Sequence, residues 1–183
     1  PYHIDIENLP AINFSFKKNY CCLNNRYTKT RYKVFKFLKD KNLTNYGYVS
    51  FRNVNRYYNG VNYKDQKIDK FVNFKDTHYT NEMKDNPRQY VCYYPVEDFL
   101  FDFVEETQNG DYPLVTMDKS IKPFIWGKIP VVSACSYHMH FLEQLGFDIF
   151  RDIIDYSYDL QKDYDLRHQM YIEQLETLTT LNI

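Results

Sequence analysis

A strand, a helix and a second strand follow one another near the start of the chain, and this order constrains the fold most. Residues 20–23 are apolar, and residues 48–51 alternate as strand residues do. Between them, Thr28 can cap a helix that runs to about residue 42. Its apolar face carries, at helical spacing, Tyr32, Phe35 and Leu38. Because such units build parallel sheets, an α/β fold is predicted.

The second half of the chain continues this alternation of strands and helices. A strand is predicted over residues 101–107, after the end of a short helix at residues 98–101. Pro123 is tolerable only in the first turn of a helix, so the helix predicted over residues 118–126 begins near Lys122 or bends there. The other predicted elements are a short helix at 65–72, a buried strand at 129–133, and helices at 137–145 and 160–178.

Charge and cysteine content exclude some classes of function. The net charge of −1 provides no overall field toward nucleic acid or an anionic membrane, so a nucleic-acid partner is not expected. No run of 18 apolar residues predicts a membrane span. The four cysteines contain no Cys-x-x-Cys pair, so we predict no metal site, reduced thiols and a cytoplasmic location.

Asn24 and Arg26 follow the first predicted strand and form the first candidate site. Ligands of open parallel sheets bind beyond the carboxyl ends of the strands, where helices begin. An arginine at that position can hold a diphosphate through two parallel hydrogen bonds. The alternative is that Arg26 is a solvated turn residue.

Asp118, Lys119 and Lys122 form the second candidate site, near the start of a predicted helix. The carboxylate can accept hydrogen bonds from ribose hydroxyls, and a lysine can neutralise a departing phosphate. The alternative is an acidic first turn that complements the helix dipole, with exposed lysines.

Glu105 and Glu106 form the third candidate site, at the end of another predicted strand. Two carboxylates beside a pocket can raise the pKa of one of them and create a catalytic base. The alternative is that one of the two faces solvent. His138 is predicted to be a partly exposed surface residue; the alternative is that it lines the same cleft, because it lies just after the strand that ends at Ser133. His168 has no recognisable partner in the sequence.

The motifs at these sites resemble a group of phage and large-virus glycosyltransferase-like proteins. The first block is Cys-Leu-Asn-Asn-Arg at residues 22–26 and Asn-Tyr-Gly-Tyr-Val-Ser-Phe at residues 45–51. The second block is Phe-Val-Glu-Glu-Thr at residues 103–107, Val-Thr-Met-Asp-Lys-Ser-Ile-Lys-Pro-Phe at 115–124, Gly-Lys-Ile-Pro-Val at 127–131 and Leu-Gly-Phe-Asp-Ile-Phe at 145–150. Residues 115–124 are also similar to the donor-binding motif of α1,3-fucosyltransferases, which have two Rossmann-like domains.

The resemblance implies a GT-B type donor-binding domain, a Rossmann-like parallel sheet with flanking helices. It implies a ribose contact for Asp118 and diphosphate contacts for Lys119 and Arg26, with Asn24 and Lys122 beside them. The family has Glu where this chain has Asp118, a side chain shorter by one methylene. Enzymes of this architecture need no metal cofactor, because cationic side chains take its place.

The sequence pattern and the resemblance together predict that the chain has three parts. Residues 1–18 form an extended entry segment, residues 19–159 the nucleotide-sugar-binding domain, and residues 160–183 a C-terminal helix that packs on it. Complete enzymes of this type also have an N-terminal acceptor domain, for which residues 1–18 are too short. The expected partners are therefore a nucleotide-sugar donor, an unknown acceptor, and an acceptor domain or a viral protein.

Two functions from different classes remain open. The first is transfer of a sugar from a nucleotide diphosphate to an acceptor hydroxyl, with Glu105 or Glu106 as the catalytic carboxylate that orients the sugar. The second is a non-catalytic interaction protein of a virion or its assembly, built on a degenerate transferase fold. The tyrosine-rich composition, 19 Tyr among 183 residues, favours the second, because Tyr is enriched at contact surfaces. A viral source places either protein in the host cytoplasm or the virion.

Overall fold

A five-stranded sheet organises the chain in the computed structural model, which describes residues 15–24, 28–51, 71–72, 98–106 and 117–181. The strands are β1 (Lys18–Asn24), β2 (Gly47–Phe51), β3 (Phe71–Val72), β4 (Phe99–Glu105) and β5 (Ile129–Ser133). Their order across the sheet is β3-β2-β1-β4-β5. The helices are α1 (Lys29–Asp40), α2 (Met117–Ile125), α3 (His138–Gln144) and α4 (Tyr164–Thr179), with 3₁₀ turns at Leu43–Tyr46 and Ser157–Leu160.

Strand direction confirms the predicted α/β fold with a parallel sheet and flanking helices. Strands β2, β1, β4 and β5 are parallel to their neighbours, and only the two-residue β3 is antiparallel, at the edge beside β2. The chain passes from β1 to β2 on one side, and β4 then lies on the other side of β1. This reversal places a topological switch between β1 and β4, where Rossmann-like sheets bind their ligands.

Local sequence signals explain α1. The Thr28 hydroxyl accepts a hydrogen bond from the amide of Arg31 at 3.2 Å, which satisfies one of the unpaired amides of the first turn. Val34, Phe35 and Leu38 are buried at helical spacing. Phe35 stacks on Phe51 of β2 with ring centroids 4.8 Å apart, which fixes the helix on the sheet.

The two faces of the sheet carry different helices. Successive strand side chains point to opposite faces, so Tyr20 and Cys22 share one face and Cys21 lies on the other. Helices α1 and α4 cover the first face, where the rings of Tyr20 and Phe103 stack at 4.5 Å. Helix α2 covers the second face, where Trp126, the residue after the helix, packs in a cluster with Cys21.

Two sequence expectations about elements were wrong. Strand β4 already begins at Phe99, where a helix end was predicted, because Phe101 pairs with both Tyr20 and Ile129. Phe71 and Val72 form a strand that pairs with Phe51 and Ser50, rather than the end of a helix; the rest of that prediction, residues 65–70, lies outside the described residues.

The helix predicted over residues 118–126 is confirmed as α2, and because Pro123 lies inside it, the alternative of a start near Lys122 is excluded. The helix spans Met117–Ile125, and Gly127, two residues later, has a φ of 61°, the left-handed conformation typical of a residue that follows a helix. Among the described helices, none is long and apolar enough to cross a membrane.

Candidate functional site

The carboxyl ends of β1 and β4 lie side by side at the switch point and carry three of the predicted site residues. Asn24 ends β1, Glu105 ends β4, and Glu106 follows directly. Asn24 is buried, and its side-chain amide lies 3.3 Å from the sulfur of Cys22. Arg26 lies outside the described residues. We call this end of the sheet the carboxyl edge.

Glu105 and Glu106 are both buried, but they are divided between the two faces of the sheet. Alternation along the strand directs Glu105 toward α1 and α4 and directs Glu106 toward α2. The two carboxylates therefore do not form one acidic pair. Each has its own histidine nearby, which the sequence did not predict.

Glu105 lies in the layer between the sheet and α4. Its Oε1 is 3.6 Å from Nε2 of His168, and both side chains are almost fully buried. Nη2 of Arg31 donates to the backbone carbonyl of Glu105 at 2.8 Å, and the positive charge of Arg31 opposes the increase in the pKa of the carboxyl group that burial produces. Within the described part of the chain, neither carboxylate oxygen of Glu105 has a hydrogen-bond partner. Burial accordingly raises the pKa of Glu105.

Glu106 contacts two side chains of α2 on the other face. The hydroxyl of Ser120 donates to its Oε1 at 2.8 Å, and Nζ of Lys119 lies 3.5 Å from its Oε2. The Glu106 side chain is buried, whereas the Lys119 side chain is 42% exposed. The ion pair therefore joins a buried carboxylate to a partly exposed lysine.

His138, the first residue of α3, completes this group. Its Nε2 lies 2.9 Å from the hydroxyl oxygen of Ser120, and its ring is buried, which contradicts the predicted surface position. An ionised carboxylate can only accept, so the single hydroxyl proton of Ser120 goes to Glu106. Nε2 of His138 must then carry a proton and donate it to Ser120. We call Lys119, Glu106, Ser120 and His138 the Glu106 network.

The direction of these hydrogen bonds limits the chemistry of Ser120. A nucleophilic serine gives its proton to a nearby base, usually the free ring nitrogen of a histidine. Here the proton points to Glu106, and the facing nitrogen of His138 is itself a donor. The Glu106 network therefore orients a carboxylate and does not activate a serine.

The structure gives less detail for Asp118 and Lys122, the other predicted site residues of α2. The backbone of Asp118 belongs to α2, but its side chain lies outside the described residues. Lys122 follows Lys119 by three residues and is half-buried. Its charge opposes the increase in the pKa of Cys21 that burial produces, so Lys122 lies within electrostatic reach of the second face of the sheet.

The sequence analysis did not predict Ser120 and His168 as site residues, and it considered His138 for the cleft only as the alternative to a surface position. Ser120 lies within the predicted motif, between Lys119 and Lys122, but the sequence does not show which groups its hydroxyl contacts. His168 has no such signal, because tertiary packing alone brings it to Glu105. Within the described residues, no group of three or more His, Cys, Asp and Glu side chains is arranged to hold a metal ion.

Comparison of the chain with models of known protein families, with curated proteins and with solved structures finds no match. Any assignment of function therefore has to come from the chemistry of the carboxyl edge.

Proposed function

We propose that the chain binds a nucleotide-diphosphate sugar at the carboxyl edge and transfers the sugar to an acceptor hydroxyl, as a GT-B type donor-binding domain. The observation that carries the proposal is the position of Lys119. Its partly exposed ammonium group is held by buried Glu106 beside the end of β4, next to the switch point. Crevices at such switch points are where open α/β sheets bind nucleotides.

Lys119 is assigned to the diphosphate. A phosphate oxygen is a strong partner for an ammonium group, and the Lys119 side chain is exposed enough for a ligand in the crevice to contact it. When the bond from the anomeric carbon to the diphosphate breaks, negative charge develops on the departing oxygen. A fixed cation at that position stabilises the charge, while the acceptor oxygen forms the new bond to carbon and its hydroxyl proton is released to water.

Glu106 rather than Glu105 is assigned to the sugar. Glu106 belongs to the same face and the same network as Lys119, and Ser120 fixes the direction of its carboxylate. Glu105 points to the opposite face and contacts α4. Asp118 and Arg26 keep the ribose and diphosphate contacts that the family resemblance implies.

Thermal unfolding in the presence of nucleotides tests this proposal. UDP, GDP or one of their sugars at about 100 times its Kd should stabilise the folded chain by roughly 2.7 kcal/mol and raise its Tm. Lys119→Ala and Arg26→Ala should each abolish most of that increase, because both remove a cation from the diphosphate.

The matched control is Lys39→Ala. Lys39 is an exposed lysine in the last turn of α1. This turn lies toward the start of β2, at the end of the sheet opposite the carboxyl edge. This variant should retain the full nucleotide-induced increase in Tm. Donor binding is refuted if no nucleotide raises the Tm of the wild-type chain, or if Lys39→Ala loses the effect as completely as Lys119→Ala.

A second candidate, the non-catalytic interaction protein, is favoured by one surface feature. Tyr137, Phe141 and Leu145 are exposed and follow one another at intervals of four residues along α3, so they form an apolar stripe. Aromatic side chains are enriched at protein contacts. If this candidate is correct, nucleotides leave the Tm unchanged, and replacing Phe141 with serine affects only association with a partner.

A further inference from the structure

We propose that His138 is a pH-sensitive latch between α2 and α3, which is closed at neutral pH and opens in acid. The latch is the contact between Nε2 of His138 and the Ser120 hydroxyl, at 2.9 Å. The inference rests on this geometry and does not depend on sugar transfer. If it is correct, acid changes the hydrogen bonds of the Glu106 network at the carboxyl edge.

The closed state requires a neutral imidazole. Nε2 carries the proton that is donated to Ser120, so Nδ1 is the ring nitrogen without one. Nδ1 is buried, and within the described residues it has no hydrogen-bond partner. Protonation would create a second buried N–H together with a positive charge, and a buried charge without a partner is strongly disfavoured.

The charged and titratable groups around the ring do not remove this penalty. The carboxylate of Glu106 is linked to the ring through Ser120, and it already contacts Ser120 and Lys119. Asp159, in the 3₁₀ turn Ser157–Leu160, uses its Oδ2 to accept the backbone amides of Met139 and His140. The remaining titratable neighbours on the segment of His138 itself are Cys135, Tyr137 and His140. Burial lowers the pKa of His138 from 6.5 to about 4.

Opening of the latch follows from the same contacts. A protonated imidazole reaches water only when the ring leaves the interior, and that movement breaks the contact with Ser120. Ser120 and Glu106 then lose their link to α3, and the first turn of α3 separates from α2. The Glu106 network is thereby reduced to Lys119, Glu106 and Ser120 in acid.

Protonation of His138 determines how the stability of the fold changes with pH. His138 has a lower pKa in the folded chain than in the unfolded chain, so the unfolded chain binds more protons between pH 6.5 and pH 4. The contribution of His138 to stability is complete above pH 6.5 and is lost as the pH falls toward 4. The unfolding equilibrium constant should therefore increase on the order of one hundredfold across this interval because of His138 alone.

The test compares wild type with His138→Gln by urea unfolding at half-unit steps from pH 7.5 to pH 4. Glutamine can place an N–H donor near the position of Nε2 but does not titrate. We expect the ratio of the two unfolding constants, wild type over variant, to increase about one hundredfold toward pH 4. The control is His140→Gln, a half-exposed histidine two residues away, which should follow wild type. Equal pH dependence of wild type and His138→Gln overturns the proposal, as does loss of the effect in His140→Gln.

A second measurement applies even if His138→Gln does not fold. The ring resonances of His138 in the wild-type chain report its titration directly by NMR. The latch predicts no titration of the ring near pH 6.5 and protonation only near pH 4, together with faster amide exchange in residues 117–121 and 138–141. Titration near pH 6.5 in a chain that remains folded overturns the proposal.

Discussion

Replacing Gly47 with alanine is expected to destabilise the fold by about 3 kcal/mol or more, at or beyond the upper end of typical overpacking effects. A Cβ at this position would lie 2.3 Å from Cζ of Tyr20 and less than 3 Å from two further ring atoms. The ring has little room to move, because it is fully buried, stacks on Phe103, and donates its hydroxyl proton to the carbonyl of Leu43. Urea unfolding of wild type and Gly47→Ala measures the difference.

A double-mutant cycle separates this collision from a simple loss of backbone freedom. In a Tyr20→Leu background the ring is gone, so Gly47→Ala should become much less destabilising than it is beside Tyr20. Gly146→Ala is the matched control: a Cβ there meets nothing within 4 Å, and only its φ of 93° is unfavourable. If Gly47→Ala is equally destabilising in both backgrounds, a collision with the ring of Tyr20 is not the cause of the destabilisation.

Replacing Asp159 with alanine is expected to destabilise the fold by roughly 2–4 kcal/mol, because it removes the cap of α3. Helix α3 has no local cap, since Tyr137 lies in the left-handed region and makes no capping bond through its side chain. Oδ2 of buried Asp159 replaces it and accepts the amides of Met139 at 3.1 Å and His140 at 3.2 Å. Alanine would leave these two donors without their acceptor, one of them in the interior.

Two further variants make the Asp159 result specific. Asp159→Asn keeps an acceptor oxygen and should be less destabilising than Asp159→Ala. Asp155→Ala removes an exposed carboxylate that accepts the nearby amide of Ser157, so its effect should be below about 1 kcal/mol. If Asp155→Ala and Asp159→Ala unfold at the same urea concentration, the distant cap does not hold α3.

The elements that were predicted correctly are those with local signals. Thr28 marks the start of α1, Gly146 follows α3, and residues 129–133 form one apolar run. The start of β4 was missed because the run around Phe99 has no periodicity that separates a strand from a buried helix. Strand β3 was missed because two residues carry almost no pattern, and their pairing with β2 is a tertiary contact.

The candidate site, too, could be predicted from the sequence only in part. The predicted strands placed Asn24 at the end of β1 and Glu105 and Glu106 at the end of β4, and the structure has them there. Strand alternation directs the two glutamates to opposite faces, but the sequence does not reveal which helices cover each face. It also could not pair Glu105 with His168, because these residues meet only when α4 packs on the sheet.

The most direct test of the proposed donor site is its location on the sheet. Amide ¹H–¹⁵N spectra of the labelled chain, recorded during titration with UDP and GDP, report which residues a nucleotide affects. We expect the largest shift changes at the carboxyl edge, at Asn24, Glu106, Lys119 and Ser120, and no change at Lys39, at the end of α1. Changes confined to the stripe of Tyr137, Phe141 and Leu145, or none at millimolar nucleotide, would contradict the proposed donor site.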